Sequence, residues 1–134
     1  MQHFSREGLQ TTCFRMFSVY GPGQNMENLK QGMVSIYMAY LLKGEPIVVK
    51  GRMDRFRDFI YIDDVVEAWM KTLDNPESFG KIYNLGTGRK TYVYELIREE
   101  IKAFELDPNS YPIVYEKPTS GDQFGLYADI SKKR

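Results

Sequence analysis

The feature that most constrains the fold is a repeated change in the spacing of apolar residues along the chain. LQTTCFRMFSVYG, from Leu9 to Gly21, is rich in β-branched and aromatic residues and reads as extended. From Met26 the period lengthens. Leu29, Met33, Ile36, Tyr37, Tyr40 and Leu41 recur at three- and four-residue steps, which makes one apolar helix face, and Gly44 and Pro46 stop it. PIVVKG then reads as a short strand, GRMDRFR as a charged loop and DFIYI as a further strand. Asp63 is placed to cap a helix running from about Asp64 to Leu73, with Val65, Val66, Trp69 and Leu73 on its inner side. KIYNLGTG reads as a strand entering a glycine turn. Thr91 is placed to cap a helix through about Phe104 that carries Leu96, Ile97 and Ile101, and YPIVYE closes the series as a strand. MQHFSREG reads as the last turns of a helix ended by Gly8, and DISKKR as a helix just beginning. Strands alternating with helices imply an α/β fold with parallel pairing. Helices at both ends lead to the expectation that the chain is cut on both sides.

Composition narrows the function classes. The 134 residues suffice for one domain with a modest core. With 18 basic and 18 acidic residues, the formal net charge is zero, which argues against nucleic acid or an anionic membrane as partner. It leaves room for a small anion held by one or two arginines. Cys13 is the single cysteine, so no intrachain disulfide can form, and its mid-strand position suits a small core residue. No apolar run approaches the ~18 residues of a membrane span, and MQHFSREG has no signal-peptide core. The expectation is a cytoplasmic, soluble chain. With one histidine, His3, and no Cys-x-x-Cys spacing, no metal ligand and no catalytic residue is assigned.

Three stretches can carry chemistry. FSVYGPGQNMENLKQG joins an aromatic run to Gly-Pro-Gly and a helix start, so it is either a tight corner or the wall of a site. In RMDRFRDFIYIDD, Arg57 stands at a strand entrance, where its guanidinium can fork onto a phosphate or carboxylate, or pin the loop through an aspartate. In SGDQFGLYADISK, Asp122 puts a carboxylate at a turn tip, to accept from sugar hydroxyls or to close an Asx-turn. Gly86-Thr87-Gly88 fits a strand-to-helix turn needing positive φ at least as well as a phosphate contact.

FRMFSVYGPGQ, GRMDRFRDFIYIDDVVEAW, KIYNLGTG and GDQFGLYADISK, in this order and spacing, resemble the C-terminal half of an NAD-dependent sugar-nucleotide epimerase/dehydratase of the extended short-chain dehydrogenase/reductase family, UDP-glucose 4-epimerase-like. The resemblance implies the C-terminal part of a Rossmann-like fold. Residues 1–134 would be one truncated unit, the last strands of the NAD-binding domain plus the small substrate-binding lobe. It implies that Arg57 grips the substrate diphosphate, that the backbone of Val48 and Lys50 faces the nucleobase, and that Asp122 lies near the ribose. Phe17 would sit beside the cofactor and Ser18 beside the substrate phosphates. Ser18 stands where many members have Asn, Thr119 where many epimerases have a second phosphate arginine, and Gly32 where some have Asn.

The family's glycine-rich loop and Tyr-x-x-x-Lys pair are not among these residues, since Tyr37, Tyr40 and Tyr111 have no lysine four positions on. The chain by itself is therefore expected to turn nothing over. The implied cofactor of the parent enzyme is NAD, and the implied ligand is a nucleotide-sugar, a UDP-sugar. Neither nucleic acid nor membrane is expected as partner, and exposed edges would allow a homo-oligomer. The rival readings are a sugar-nucleotide 4,6-dehydratase or decarboxylase fragment and a non-catalytic nucleotide-sugar-binding or interaction module.

Overall fold

The computed structural model describes residues 8–30 and 32–131. Its elements run β1 (Cys13–Met16), β2 (Ser18–Tyr20), α1 (Met33–Lys43), β3 (Ile47–Lys50), β4 (Phe56–Arg57), β5 (Phe59–Tyr61), α2 (Ile62–Leu73), β6 (Ile82–Leu85), β7 (Thr91–Tyr92), α3 (Val93–Ala103) and β8 (Ile113–Glu116). Among the described residues β1–β6, β2–β5 and β3–β8 pair in parallel, and β4–β7 antiparallel. The α/β class with parallel pairing is thus the observed one. The chain divides into two compact units: Met1–Gly21, Asp58–Arg89 and Tyr127–Arg134 form the first, and Pro22–Arg57 with Lys90–Leu126 the second.

In the first unit the run from Cys13 to Tyr20 changes partner at Phe17. The Phe17 N–H donates to the Leu85 carbonyl at 3.0 Å, and the Ser18 N–H donates to the Asp58 carbonyl at 3.0 Å. β1 therefore lies along β6, and β2 along β5. α2 leaves β5 with no intervening loop. Its N-cap is Tyr61, and Asp63 and Asp64 both lie in its first turn. Asp63 is thus inside the helix and not its cap, where a carboxylate still favours the N-terminal end of the helix dipole. Only Val65 of the expected inner face is buried, at 3 % exposure, while Val66, Trp69 and Leu73 are exposed. Trp69 nevertheless stacks on Phe14 of β1, with ring centroids 5.7 Å apart. The face thus has the period of a buried one, yet among the described residues Val66, Trp69 and Leu73 stay largely exposed.

The second unit holds the principal core: Tyr37 and Leu41 of α1, Ile47 and Val49 of β3, and Val93, Ile97 and Ile101 of α3. Ile47 and Val49 alternate inward from a parallel strand, and Ile97 and Ile101 lie one helical turn apart, so both periods meet on one cluster. Burying each such side chain contributes about 1.5–3 kcal/mol. α1 begins at Met33, later than the apolar spacing from Met26 suggests. The Asn25 and Asn28 side chains accept from the Glu27 and Lys30 N–H groups at 2.8 and 3.0 Å, which diverts this backbone into Asx-turns. Gly44 ends α1 in the left-handed region at φ 67°, donating its N–H to Leu41. GRMDRFR is not wholly loop, since its last two residues form β4. Thr91 lies in β7, and α3 starts after Tyr92, whose N–H donates to the Glu95 carboxylate at 2.9 Å. Residues 129–131 carry no helix. The rest of DISKKR and the expected helix in MQHFSREG lie outside the described residues.

Candidate functional site

The second unit contains a cavity of about 590 Å³. α1 contributes Met33, Ile36, Tyr37 and Tyr40 to its apolar wall, and β3 contributes Val48 and Lys50. The turn of Thr119, Ser120, Gly121 and Asp122 also lines it, as does Arg55 from the segment before β4. The alternation of β3 explains its share of the wall. Ile47 and Val49 point into the core with no exposure, so Val48 and Lys50 face the other way. The turn closes through the Asp122 N–H, which donates to the Thr119 carbonyl at 3.1 Å.

Polar geometry in the cavity centres on Asp122. One oxygen of its carboxylate accepts from the Arg55 guanidinium, and the other accepts from Arg57 Nη2 at 2.8 Å. Arg55 Nε also donates to the Arg52 carbonyl at 2.8 Å, and Arg57 Nη1 donates to the Phe56 carbonyl at 2.8 Å. Arg55 stands just before β4 and Arg57 ends it, and both side chains meet the one carboxylate. Phe56 between them turns the other way and meets Tyr92 and Phe124 edge to face. The Arg55 side chain is 8 % exposed, Arg57 16 % and Asp122 19 %, so this triad is largely withdrawn from solvent. Beside it, burial raises the Tyr37 phenol pKa, and the nearby Arg55 guanidinium opposes that shift.

Four of the six sequence-expected site residues lie in this unit. Val48, Lys50 and Asp122 line the cavity, whereas Arg57 touches Asp122 from outside its lining. The remaining two, Phe17 and Ser18, belong to the first unit, at the change of partner strand. Sequence reasoning missed Arg55, although its i, i+2 relation to Arg57 on an extended stretch was visible. It also missed Asp58. That carboxylate has no exposure and accepts from Thr87 Oγ1 at 2.6 Å, Thr87 N at 2.8 Å, Gly88 N at 2.8 Å and Ala128 N at 3.0 Å. The anion held by the Gly86–Gly88 turn is therefore the chain's own. Gly86 permits this approach, because a Cβ there would lie 2.6 Å from Asp58 Oδ2 and from the Ala128 methyl.

Comparison with known proteins gives this arrangement its family. The sequence model of the NAD dependent epimerase/dehydratase family matches residues 1–86. The chain is 32 % identical over 125 residues to a putative UDP-glucose 4-epimerase of Methanocaldococcus jannaschii, a match covering 93 % of this chain and 39 % of that protein. Among solved structures, the UDP-glucose 4-epimerase of Thermotoga maritima, determined with UDP-glucose, is 30 % identical with a TM-score of 0.87, over 96 % of this chain and 40 % of that one. MoeE5 in complex with UDP-glucose and NAD is 30 % identical with a TM-score of 0.78, over 92 % of this chain and 39 % of that one. The chain belongs to the NAD-dependent epimerase/dehydratase family, and its fold is Rossmann-like, as in the extended short-chain dehydrogenases.

It spans 39 % of the length of the Methanocaldococcus relative. NAD is the cofactor of this family. The Gly86–Gly88 turn does not fit the pyrophosphate of a dinucleotide, because Asp58 already takes the Thr87 and Gly88 donors. Among the described residues no helix is long and apolar enough to cross a membrane, and no group of three His, Cys, Asp or Glu is arranged to hold a metal ion.

Proposed function

We propose that this chain is the nucleotide-sugar-binding part of a UDP-glucose 4-epimerase-like enzyme. The observation that carries the reading is the convergence of Val48, Lys50 and Asp122 on one cavity of about 590 Å³. Ligand pockets commonly span ~300–1,000 Å³ and combine apolar walls with a few placed polar groups. In this reading the β3 backbone at Val48 and Lys50 faces the nucleobase, and the Asp122 carboxylate accepts from the ribose hydroxyls. Arg57 holds the diphosphate by charge-assisted bonds. In the first unit Ser18 offers a hydroxyl to a substrate phosphate, and Phe17 offers its aromatic face to the cofactor. The chain's contribution is binding and orientation; hydride transfer belongs to NAD and to groups outside these residues.

The test is a calorimetric titration of UDP-glucose into the wild-type chain and into Arg57→Ala, with glucose as control. The reading expects saturable binding of UDP-glucose, none of glucose, and a loss of about tenfold or more in Arg57→Ala. Absence of saturable UDP-glucose binding would overturn it. An Arg57→Ala variant that binds as wild type but melts lower would make Arg57 a structural partner of Asp122 alone.

A further inference from the structure

The charge balance around Asp122 does not close among the described residues. Two guanidiniums, Arg55 and Arg57, share one carboxylate, and Asp122 is the only carboxylate either one meets among the described residues. One positive charge is left over in a triad that is mostly desolvated. Buried charge without a counter-charge is costly. The other buried acid of this unit, Glu100, does not help. Its carboxyl oxygens have no hydrogen-bond partner among the described residues, and burial pushes its pKa up to about 9, so it is uncharged at neutral pH. Lys30 and Lys50, both lining the cavity, add positive charge there. Of the two triad arginines only Arg55 lines the cavity.

Arg55 is also pre-set. Its Nε is fixed on the Arg52 carbonyl, and Asp122 holds the guanidinium from one side. Little side-chain freedom remains to be lost when a ligand arrives. With Nε and one Nη1 hydrogen already donated, the remaining Nη hydrogens suit a phosphate better than a neutral acceptor, because charge-assisted bonds to it form with little reorganisation.

Building on the nucleotide-sugar reading above, we infer that Arg55 is a second residue, beside Arg57, by which this cavity recognises the phosphate charge of its ligand, that charge completing the neutralisation that Asp122 begins. Thr119, which also lines the cavity, bears no charge and leaves this role open to Arg55. Arg55 is then a specificity residue for phosphorylated over unphosphorylated nucleosides.

The experiment titrates UDP and uridine into wild type, Arg55→Gln and Arg55→Lys, with far-UV circular dichroism and a thermal melt on each. Wild type should prefer UDP to uridine by about 10–100-fold. Arg55→Gln should lower that ratio by about threefold or more, Arg57 keeping part of the preference, and Arg55→Lys should fall between, since it keeps the charge and loses the fork. An unchanged ratio in folded Arg55→Gln would overturn the inference and leave the nucleotide-sugar reading standing. An equal loss of UDP and uridine would also overturn it, making Arg55 a wall or base contact. Should Arg55→Gln fail to fold, the ratio in Arg55→Lys decides, and a wild-type ratio there refutes the inference. Failure of wild type to bind either probe would refute the cavity reading itself.

Discussion

Asp58→Asn should be the most informative change in the first unit. The wild-type carboxylate takes four donors: both the N–H and the hydroxyl of Thr87, and the N–H groups of Gly88 and Ala128. An asparagine in the same place has one carbonyl oxygen. If that oxygen keeps the Thr87 pair, the side-chain amide turns its own donors toward the Gly88 and Ala128 N–H groups. Two charge-assisted bonds are lost and two buried donors are left unpaired. Hydrogen bonds to charged groups contribute about 1.5–3 kcal/mol each, and non-additivity brings the sum to ~3–5 kcal/mol. At roughly 3–5 °C per kcal/mol for a chain of this size, the melting temperature should fall by ~10 °C or more.

The pH dependence carries a sign. Burial alone would raise the Asp58 pKa, but the bonds from Thr87, Ala128 and Gly88 outweigh it and hold it below the ordinary carboxylate value of 3.8. The folded state then binds its proton less readily than the unfolded chain. The stabilisation is complete above the unfolded pKa and is lost as pH falls through the folded one. Melts from pH 2 to 7, together with amide exchange at Thr87, Gly88 and Ala128, test both parts. An Asp58→Asn protein that melts within ~2 °C of wild type and keeps slow exchange at those amides would refute the reasoning.

Two further outcomes follow from the same structure. Glu100 is 8 % exposed with its pKa raised by burial to about 9, so it folds protonated. Its linkage is opposite to that of Asp58: stability falls as pH rises from the unfolded pKa of roughly 4.3 toward the folded one. Glu100→Gln should therefore gain about 1–3 kcal/mol at pH 7 and nothing near pH 4, and urea titrations that show no such gain would contradict this. The second outcome concerns association. Among the described residues β1 pairs only with β6, and Met16, Ile82, Val66, Met70 and Leu73 are exposed in that unit. An open edge beside apolar surface should drive self-association. Sedimentation velocity should show concentration-dependent species, and a monomer across the whole range would count against the expectation.

What the sequence disclosed depended on how local the cause was. β3, β5, β6 and β8 follow from short apolar runs, and α3 from a clean 3.6-residue period. Gly44 ends α1 because glycine takes the left-handed turn at no steric cost. The start of α1 was hidden because Asn25 and Asn28 compete for backbone donors that apolar spacing does not register. The exposed face of α2 was misjudged because periodicity records what a helix is built to cover, not whether the cover is present. Motif order singled out Val48, Lys50 and Asp122, which line the cavity. Arg55 was not singled out, because its partner lies 67 residues away in sequence. Asp58 was missed for the same reason: the turn that grips it is 29 residues downstream.

The central claim is that the cavity lined by Tyr37, Val48, Lys50, Arg55 and Asp122 takes a nucleotide-sugar. An amide-resolved NMR titration of the chain with UDP-glucose tests it most directly. The account predicts saturable shifts concentrated at Val48, Lys50 and Ser120–Asp122, with a matching change at the Arg55 side-chain Nε–H. Shifts absent there at millimolar UDP-glucose, or confined to residues far from these, would contradict it.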